Sequence, residues 1–313
     1  MTELQVVQPG LLSLIQDAGR TGKARLGLTV GGPMDPVAAA LANRLLRNAA
    51  FDTFLELSYG GLHLRTDKDI QFCVTGAPLS VAADDREMSM WRVETLYANE
   101  TLNLGFSEVG CRSYIAFRGG LAVQPSFGSA ATVVREHIGG LRGLALKTGD
   151  VLRVSDAEPT ERLWIAPRQR PLYQRRRTVR VVEGYQHAHF PRLELRRFYS
   201  SDYTISQQSD RMGYRLEGPE ITCDLQGILS EGIAPGAIQV PADGQPIILL
   251  NDRQTIGGYP KLGSALSIDC AALAQLRPGD TVNFAAVSAQ TAHNALHLAT
   301  AFERARRLEL APA

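Results

Sequence analysis

Leu144-Ala145-Leu146-Lys147-Thr148-Gly149-Asp150-Val151-Leu152-Arg153-Val154 and, in the second half of the chain, Leu276-Arg277-Pro278-Gly279-Asp280-Thr281-Val282-Asn283-Phe284 share one pattern. In each, an apolar run breaks at Gly-Asp and resumes at once with Val or Thr. Glycine is the residue that such a turn favours, so each stretch predicts two strands around a tight turn. The shared ending points to two related β-barrels, one per half. Other short β-rich runs, Val6-Val7, Ile70 to Val74 and Ser113 to Phe117, are punctuated by glycine at the spacing of barrels or sandwiches. The pairs Gly31-Gly32, Gly60-Gly61, Gly119-Gly120, Gly139-Gly140 and Gly257-Gly258 mark positions needing positive φ or close backbone approach.

The fold class that follows is mainly β with some α. Asp35-Pro36 is a helix cap followed by proline at the first helical position, and Val37, Ala40, Leu41 and Leu45 form the apolar stripe of that helix. Ser288 to Leu308 sets Ala292, Ala295, Leu296, Ala299 and Phe302 on one stripe, which predicts a terminal amphipathic helix packed on the second domain. A chain of 313 residues is long for one core. Ser155 to Arg177, rich in Pro, Arg, Glu and Gln, is the expected connection, with subdomains at 1–166 and 167–313 and the boundary near Pro167.

At 44% hydrophobic and 21% charged residues the composition is that of a globular protein. A formal charge of +1 gives no overall field for nucleic acid or anionic membrane. The one basic cluster, Arg175 to Arg177, reads as a solvated linker. Cys73, Cys111, Cys223 and Cys270 form no CxxC pair, so reduced thiols are expected. No leader-like N-terminus or bilayer-length apolar run is present, which places the expected location in the cytoplasm.

The familiar catalytic signatures are missing. Gly19-Arg20-Thr21-Gly22-Lys23 has the wrong glycine spacing for a phosphate loop, and Ala24 stands where a hydroxyl would hold magnesium. No GxSxG, GxGxxG or HExxH occurs. His293 and His297 have the helical spacing that could set two imidazoles on one metal, yet no acidic or thiol ligand lies near them in sequence, so no metal site is expected. His187 and His189 read as alternating on a strand.

Three polar, glycine-rich stretches remain. The first is Gln16-Asp17-Ala18-Gly19-Arg20 with Gly31-Gly32-Pro33-Met34-Asp35 and Asn43. Asp17 and Asp35 suit an Asx turn and a helix cap, whereas a guanidinium at Arg20 suits bidentate grip on a carboxylate or phosphate. The second, Ser206 to Leu216, crowds Ser209, Asp210, Arg211, Met212 and Arg215 among amides and hydroxyls, as recognition of a small polar ligand requires. In the third, a buried strand ending at Leu250 opens into Asn251-Asp252-Arg253-Gln254-Thr255-Ile256-Gly257-Gly258-Tyr259-Pro260-Lys261. There Gly257-Gly258 would offer backbone N–H groups as an anion nest, with Tyr259 and Lys261 adding a hydroxyl and a charge.

Ser209-Asp210-Arg211-Met212-Gly213-Tyr214-Arg215 and Gln254-Thr255-Ile256-Gly257-Gly258-Tyr259-Pro260 resemble the KipA or allophanate hydrolase subunit 2 family, the C subunits of bacterial 5-oxoprolinases. Gln16 to Arg20, Gly32 to Asp35, Ala42-Asn43, Leu55-Glu56 and Gly128-Ser129 look like its N-terminal half, so the resemblance spans nearly the whole chain. It implies two cyclophilin-like β-barrel subdomains without prolyl isomerase activity. It also implies two 5-oxoprolinase partners, one KipI-like and one LamB/YcsF-like, with which ATP is used as co-substrate to open 5-oxo-L-proline to L-glutamate. A fused relative is the carboxyltransferase domain of urea carboxylase, where biotin is carried by another domain. This chain has no Ala-Met-Lys-Met site for biotin of its own. In Bacillus-like relatives the protein antagonises a kinase inhibitor, KipI, which would be a non-catalytic role.

Each of these activities polarises an amide or urea carbonyl. The resemblance then assigns Arg211, Gln254, Tyr259 and Lys261 to catalysis, and Arg20, Asn43, Ser209, Met212, Arg215, Thr255, Gly257 and Gly258 to substrate binding. Three departures stand out: Ile256 replaces a usual threonine, Glu231 a common histidine, and Phe117-Arg118 small residues.

Overall fold

A computed structural model describes residues 1–225 and 227–312. The chain forms two compact units, one of Met1–Thr21, Gly31–Tyr173 and Arg306–Ala313, the other of Gly22–Val30 and Gln174–Ala305. The main chain crossing therefore falls between Tyr173 and Gln174.

The first unit is built on two antiparallel sheets. One runs Val151–Val154, Thr2–Pro9, Leu62–Thr66, Thr101–Leu104, Val81–Ala83, Arg86–Met88; the other Leu12–Gln16, Phe54–Ser58, Arg112–Phe117, Ile70–Gly76, Val93–Leu96. Alternation along Thr2–Pro9 turns Leu4 and Val6 inward, where they join Ile15, Leu55, Leu57 and Ile115 in one core. Phe54–Ser58 is buried at every residue because its sheet is covered on both faces. Its second cover is helix α1, Pro36–Leu45, capped as expected by Asp35, whose Oδ1 accepts from the Ala38 N–H at 3.1 Å. The buried stripe is Ala38, Leu41, Ala42 and Leu45 rather than one through Val37 and Ala40, which are half-exposed.

The second unit contains a closed barrel. Its strands run in the order Arg176–Glu183, Lys261–Ala265, Ala237–Gln239, Ile247–Leu249, Gly213–Glu217, Tyr203–Ile205 and Thr281–Ala286, the last pairing in parallel with the first. Helix α2, Arg192–Ser200, stacks Phe198 on the barrel's Phe284 at 4.3 Å between ring centroids. Helix α3, Ser267–Leu273, buries Leu273. Arg176 and Arg177 are barrel residues, not linker, and Arg176 is paired with Asp202. His187–His189 is a 3₁₀ turn instead of a strand.

Both Gly-Asp turns are realised in the same form. The Asp150 N–H reaches the Lys147 carbonyl at 3.1 Å and the Asp280 N–H the Arg277 carbonyl at 2.9 Å, with Gly149 and Gly279 at φ 86° and 90° in the third position. These are type II turns, which demand positive φ there. Only the second arm of each stretch is a strand, Val151–Val154 and Thr281–Ala286. Leu144 to Leu146 instead follows a loop whose Leu146 N–H bonds the Ser13 carbonyl.

The terminal helix α4, Ala289–Ala305, departs from expectation. None of its residues is fully buried, and Leu296, Leu298 and Phe302 face solvent. The half-buried positions Ala292, Ala295 and Ala299 carry only methyl groups, too little apolar surface to seat the helix deeply.

Candidate functional site

The glycine-rich N-terminal motifs form a buried polar clasp in the first unit. Asp17 accepts from the Gly19 N–H at 2.8 Å and the Ala130 N–H at 2.6 Å, and takes the Ser129 hydroxyl as well. Gln16 accepts from the Gly32 N–H and donates to the Thr132 carbonyl, both at 2.9 Å. Arg20 is 1% exposed and donates to the carbonyls of Ser126, Ser129 and Ala131 at 2.9, 3.2 and 2.9 Å. Through these bonds its guanidinium ties down a loop.

Asn43 is likewise enclosed. It donates to the Asp52 carbonyl at 2.8 Å, accepts from Asn48 at 3.0 Å, and so fastens the end of α1 to the loop that follows. Arg118, one of the family departures, donates to the carbonyls of Leu46 and Arg47 at 2.9 Å, complementing the same helix C-terminus. Glu56 accepts from the Met34 N–H at 2.8 Å and the Tyr114 hydroxyl at 2.9 Å, which positions the Gly32-Pro33-Met34-Asp35 turn before α1.

The second polar stretch is also largely structural. Arg211 makes a bidentate pair with Asp252, Nε to Oδ2 at 2.8 Å and one terminal nitrogen to Oδ1 at 2.9 Å, with both residues about 5–6% exposed. The backbones support the pair, the Asp252 N–H reaching the Arg211 carbonyl and the Leu250 N–H the Met212 carbonyl. Arg211 thus braces two loops where an oxyanion cation was expected. Asp210 accepts from the Met212 and Gly213 N–H groups, an Asx turn. Ser209 donates to the Arg215 carbonyl at 3.3 Å, and Arg215 pairs with Asp243.

Around Lys261, in contrast, polar groups converge from three segments of the second unit. Lys261 opens the strand Lys261–Ala265, and its ammonium pairs with Glu231 on the two-residue strand Glu231–Gly232. Glu231 also accepts from Gln186 Nε2 at 2.9 Å and from the Tyr185 hydroxyl. Gln186 Oε1 accepts from the Lys261 N–H at 2.7 Å, and the Lys261 Nζ lies 5.9 Å from the Tyr185 ring centroid. The Lys261 ammonium and then the Tyr185 hydroxyl hold the Glu231 carboxyl below the usual range, while the bond to Glu231 pushes the Tyr185 phenol up.

The rest of the third stretch frames this cluster. Ile256–Gly257 pairs with Glu231–Gly232, and the Ile233 N–H bonds the Thr255 carbonyl at 3.0 Å. Gly257 and Gly258 have no positive φ, so they do not form an anion nest of the αR-αL kind. Gly257 is needed for close approach, since a Cβ there would lie 2.5 Å from Ile233 Cδ1 and 2.8 Å from Gln239 Nε2. Tyr259 and Ile256 are exposed and Gln254 half-buried. Tyr185, Gln186 and Gln239 escaped sequence reasoning, because barrel closure alone brings them to Lys261. The substitution of a carboxylate for the usual histidine at Glu231 was the one available signal.

Among the described residues no three His, Cys, Asp or Glu side chains gather where they could hold a metal ion. His293 and His297 face each other on α4 with their Nε2 atoms 2.9 Å apart. Cys73 and Cys111 are buried and Cys223 and Cys270 half-buried, all as free thiols. No described helix is long and apolar enough to cross a membrane.

The chain is mainly β with a seven-stranded barrel, and its class is that of the carboxyltransferase domains. Residues 26–286 match the carboxyltransferase domain, subdomain A and B, and the chain belongs to that family. It is 37% identical over 282 residues to the C subunit of the Haemophilus influenzae 5-oxoprolinase, spanning 89% of each chain. To the C subunit of the Escherichia coli 5-oxoprolinase it is 35% identical over 292 residues, 92% of this chain and 93% of that one. The solved K. lactis urea amidolyase superposes on 99% of this chain with a TM-score of 0.90 at 25% identity, but the match spans only 20% of that larger chain.

Proposed function

We propose that this chain is the C subunit of an ATP-dependent 5-oxoprolinase. The observation that carries the reading is the end-to-end match to two proteins of that name, covering about nine-tenths of both partners in each comparison. In the overall reaction 5-oxo-L-proline, ATP and two waters give L-glutamate, ADP and phosphate, so a lactam C–N bond is cleaved and its carbonyl oxygen gathers negative charge on the way.

Lys261 is the cation suited to that charge, because Glu231 and the Tyr185 ring hold the ammonium in a defined place before substrate arrives, while Gln186 holds the Lys261 backbone N–H and the Glu231 carboxylate. Gln254, Thr255 and Tyr259 flank it in the same loop, and Gly257-Gly258 let the backbone come close. Arg211 and Arg20 act at one remove, by holding loops. ATP is assigned to no residue of this chain, in keeping with the want of a phosphate loop. A KipI-like protein and a LamB/YcsF-like protein, the other two components of the enzyme, would complete the site in the cytoplasm.

Mixing the purified chain with its KipI-like and LamB/YcsF-like partners should release glutamate from 5-oxoproline only when ATP and all three proteins are present. An inactive full set, beside a working set built on the Escherichia coli protein, would overturn the proposal. A second reading, carboxyl transfer from biotin on a partner protein to urea or a related amide, is favoured by the superposition on urea amidolyase. It requires streptavidin to capture this chain with a biotinylated partner from native complexes.

A further inference from the structure

Gln239 ends the barrel strand Ala237–Gln239, directly opposite Lys261 in the ladder and just past a register shift after Ile238. The residue is 2% exposed, and its Nε2 has no hydrogen-bond acceptor among the described residues. Buried amide donors are almost always satisfied, because an unmade bond costs the full desolvation of the group. A leucine or methionine would fill the position without that penalty. The amide is not an accident of loose packing either: Gly257 is the residue that leaves room for it, its missing Cβ falling 2.8 Å from Nε2.

The donor is covered on one side by a strap, Ile228–Ile233. This strap is held by a two-residue ladder to Ile256–Gly257, by the Ile228 N–H to the Gly258 carbonyl at 2.9 Å, and by Glu231 latched to Lys261 and Tyr185. Ile233 of the strap is the side chain that shares the space over Gly257 with the Gln239 amide. A shift of this short ladder would uncover the amide on the strand that pairs with Lys261.

We propose that Gln239 is a substrate-recognition residue, whose Nε2–H is reserved for the carbonyl oxygen of a small lactam or urea bound next to Lys261 beneath the strap. The substrate class rests on the 5-oxoprolinase reading; the assignment of the donor rests on its burial and want of an acceptor. With the carbonyl in place, Gln239 and Lys261 approach one oxygen from neighbouring strands, the amide orienting it and the ammonium meeting its charge.

The test compares wild type with Gln239→Leu and Gln239→Met, two variants of similar volume that lack the donor. Because the amide has no partner to lose, the ligand-free chain should melt at least as high as wild type in both, by about 2–4 °C more. In the reconstituted complex KM for 5-oxoproline should rise about tenfold or more with a smaller change in kcat, the mark of lost ground-state binding. Lower melting temperatures in both variants would mean that the amide is a structural partner, and an unchanged KM would mean that it never meets substrate; either overturns the proposal. Should the wild-type complex itself prove inactive, the 5-oxoprolinase reading fails on its own. The donor is then judged by thermal shift with 5-oxoproline and urea as probes, where stabilisation of wild type but not of the variants supports it and equal behaviour refutes it.

Discussion

Arg211→Ala separates a brace from a catalytic cation. Arg211 and Asp252 are each about 5–6% exposed and joined by two charge-assisted bonds of 2.8 and 2.9 Å. Removing the guanidinium strands the Asp252 carboxylate in a site that water hardly reaches, a loss that costs about 3–5 kcal/mol. At roughly 3 °C per kcal/mol for a domain of this size, melting should fall by about 10–15 °C, measured by circular dichroism on the purified chain. Replacing both partners at once, Arg211→Met with Asp252→Leu, removes the stranded charge along with the pair and should recover most of the loss. A variant that melts within about 2 °C of wild type yet releases no glutamate in the complex would refute this, and return Arg211 to the substrate.

Gly149→Ala and Gly279→Ala should each cost about 1–2 kcal/mol in urea unfolding, because φ is near 90° at both while an added Cβ meets no atom within 4 Å, leaving backbone strain as the sole term. A neutral result at either position would contradict the type II assignment of that turn. Glu231 titrates below an ordinary carboxylate in the folded chain, so its contribution is present above the usual carboxylate range and is lost as pH falls through the lowered folded value. The melting-temperature gap between wild type and Glu231→Gln should therefore close on acidification from neutral pH, and a gap independent of pH would show that the latch does not carry charge.

How much of this was legible depends on the range of the interaction. The Gly-Asp turns and the Asp35 cap are written in adjacent residues, and their geometry follows from side chains two or three positions apart. Leu144 to Leu146 and the α4 stripe show where local pattern runs out: apolar periodicity marks what could be buried, and only the folded chain decides what lies opposite. The same limit governs the site. Arg20 and Arg211 stood out as cations in polar surroundings, but the carbonyls that occupy Arg20 lie more than 100 residues away and the carboxylate that occupies Arg211 lies 41 away. Lys261 stood out because its own loop is polar and glycine-rich, whereas Gln186 and Glu231 reach it from 75 and 30 residues upstream, across strands that sequence could not pair.

The most direct measurement is ATP-dependent glutamate release from 5-oxoproline by the three-protein complex carrying Lys261→Met. With wild type active, the variant should assemble normally and lose at least about a hundredfold in kcat, the size expected for removing a preorganised donor to a developing oxyanion. Undiminished turnover by an intact Lys261→Met complex would contradict the account, because the cluster around Lys261 would then have no part in the chemistry.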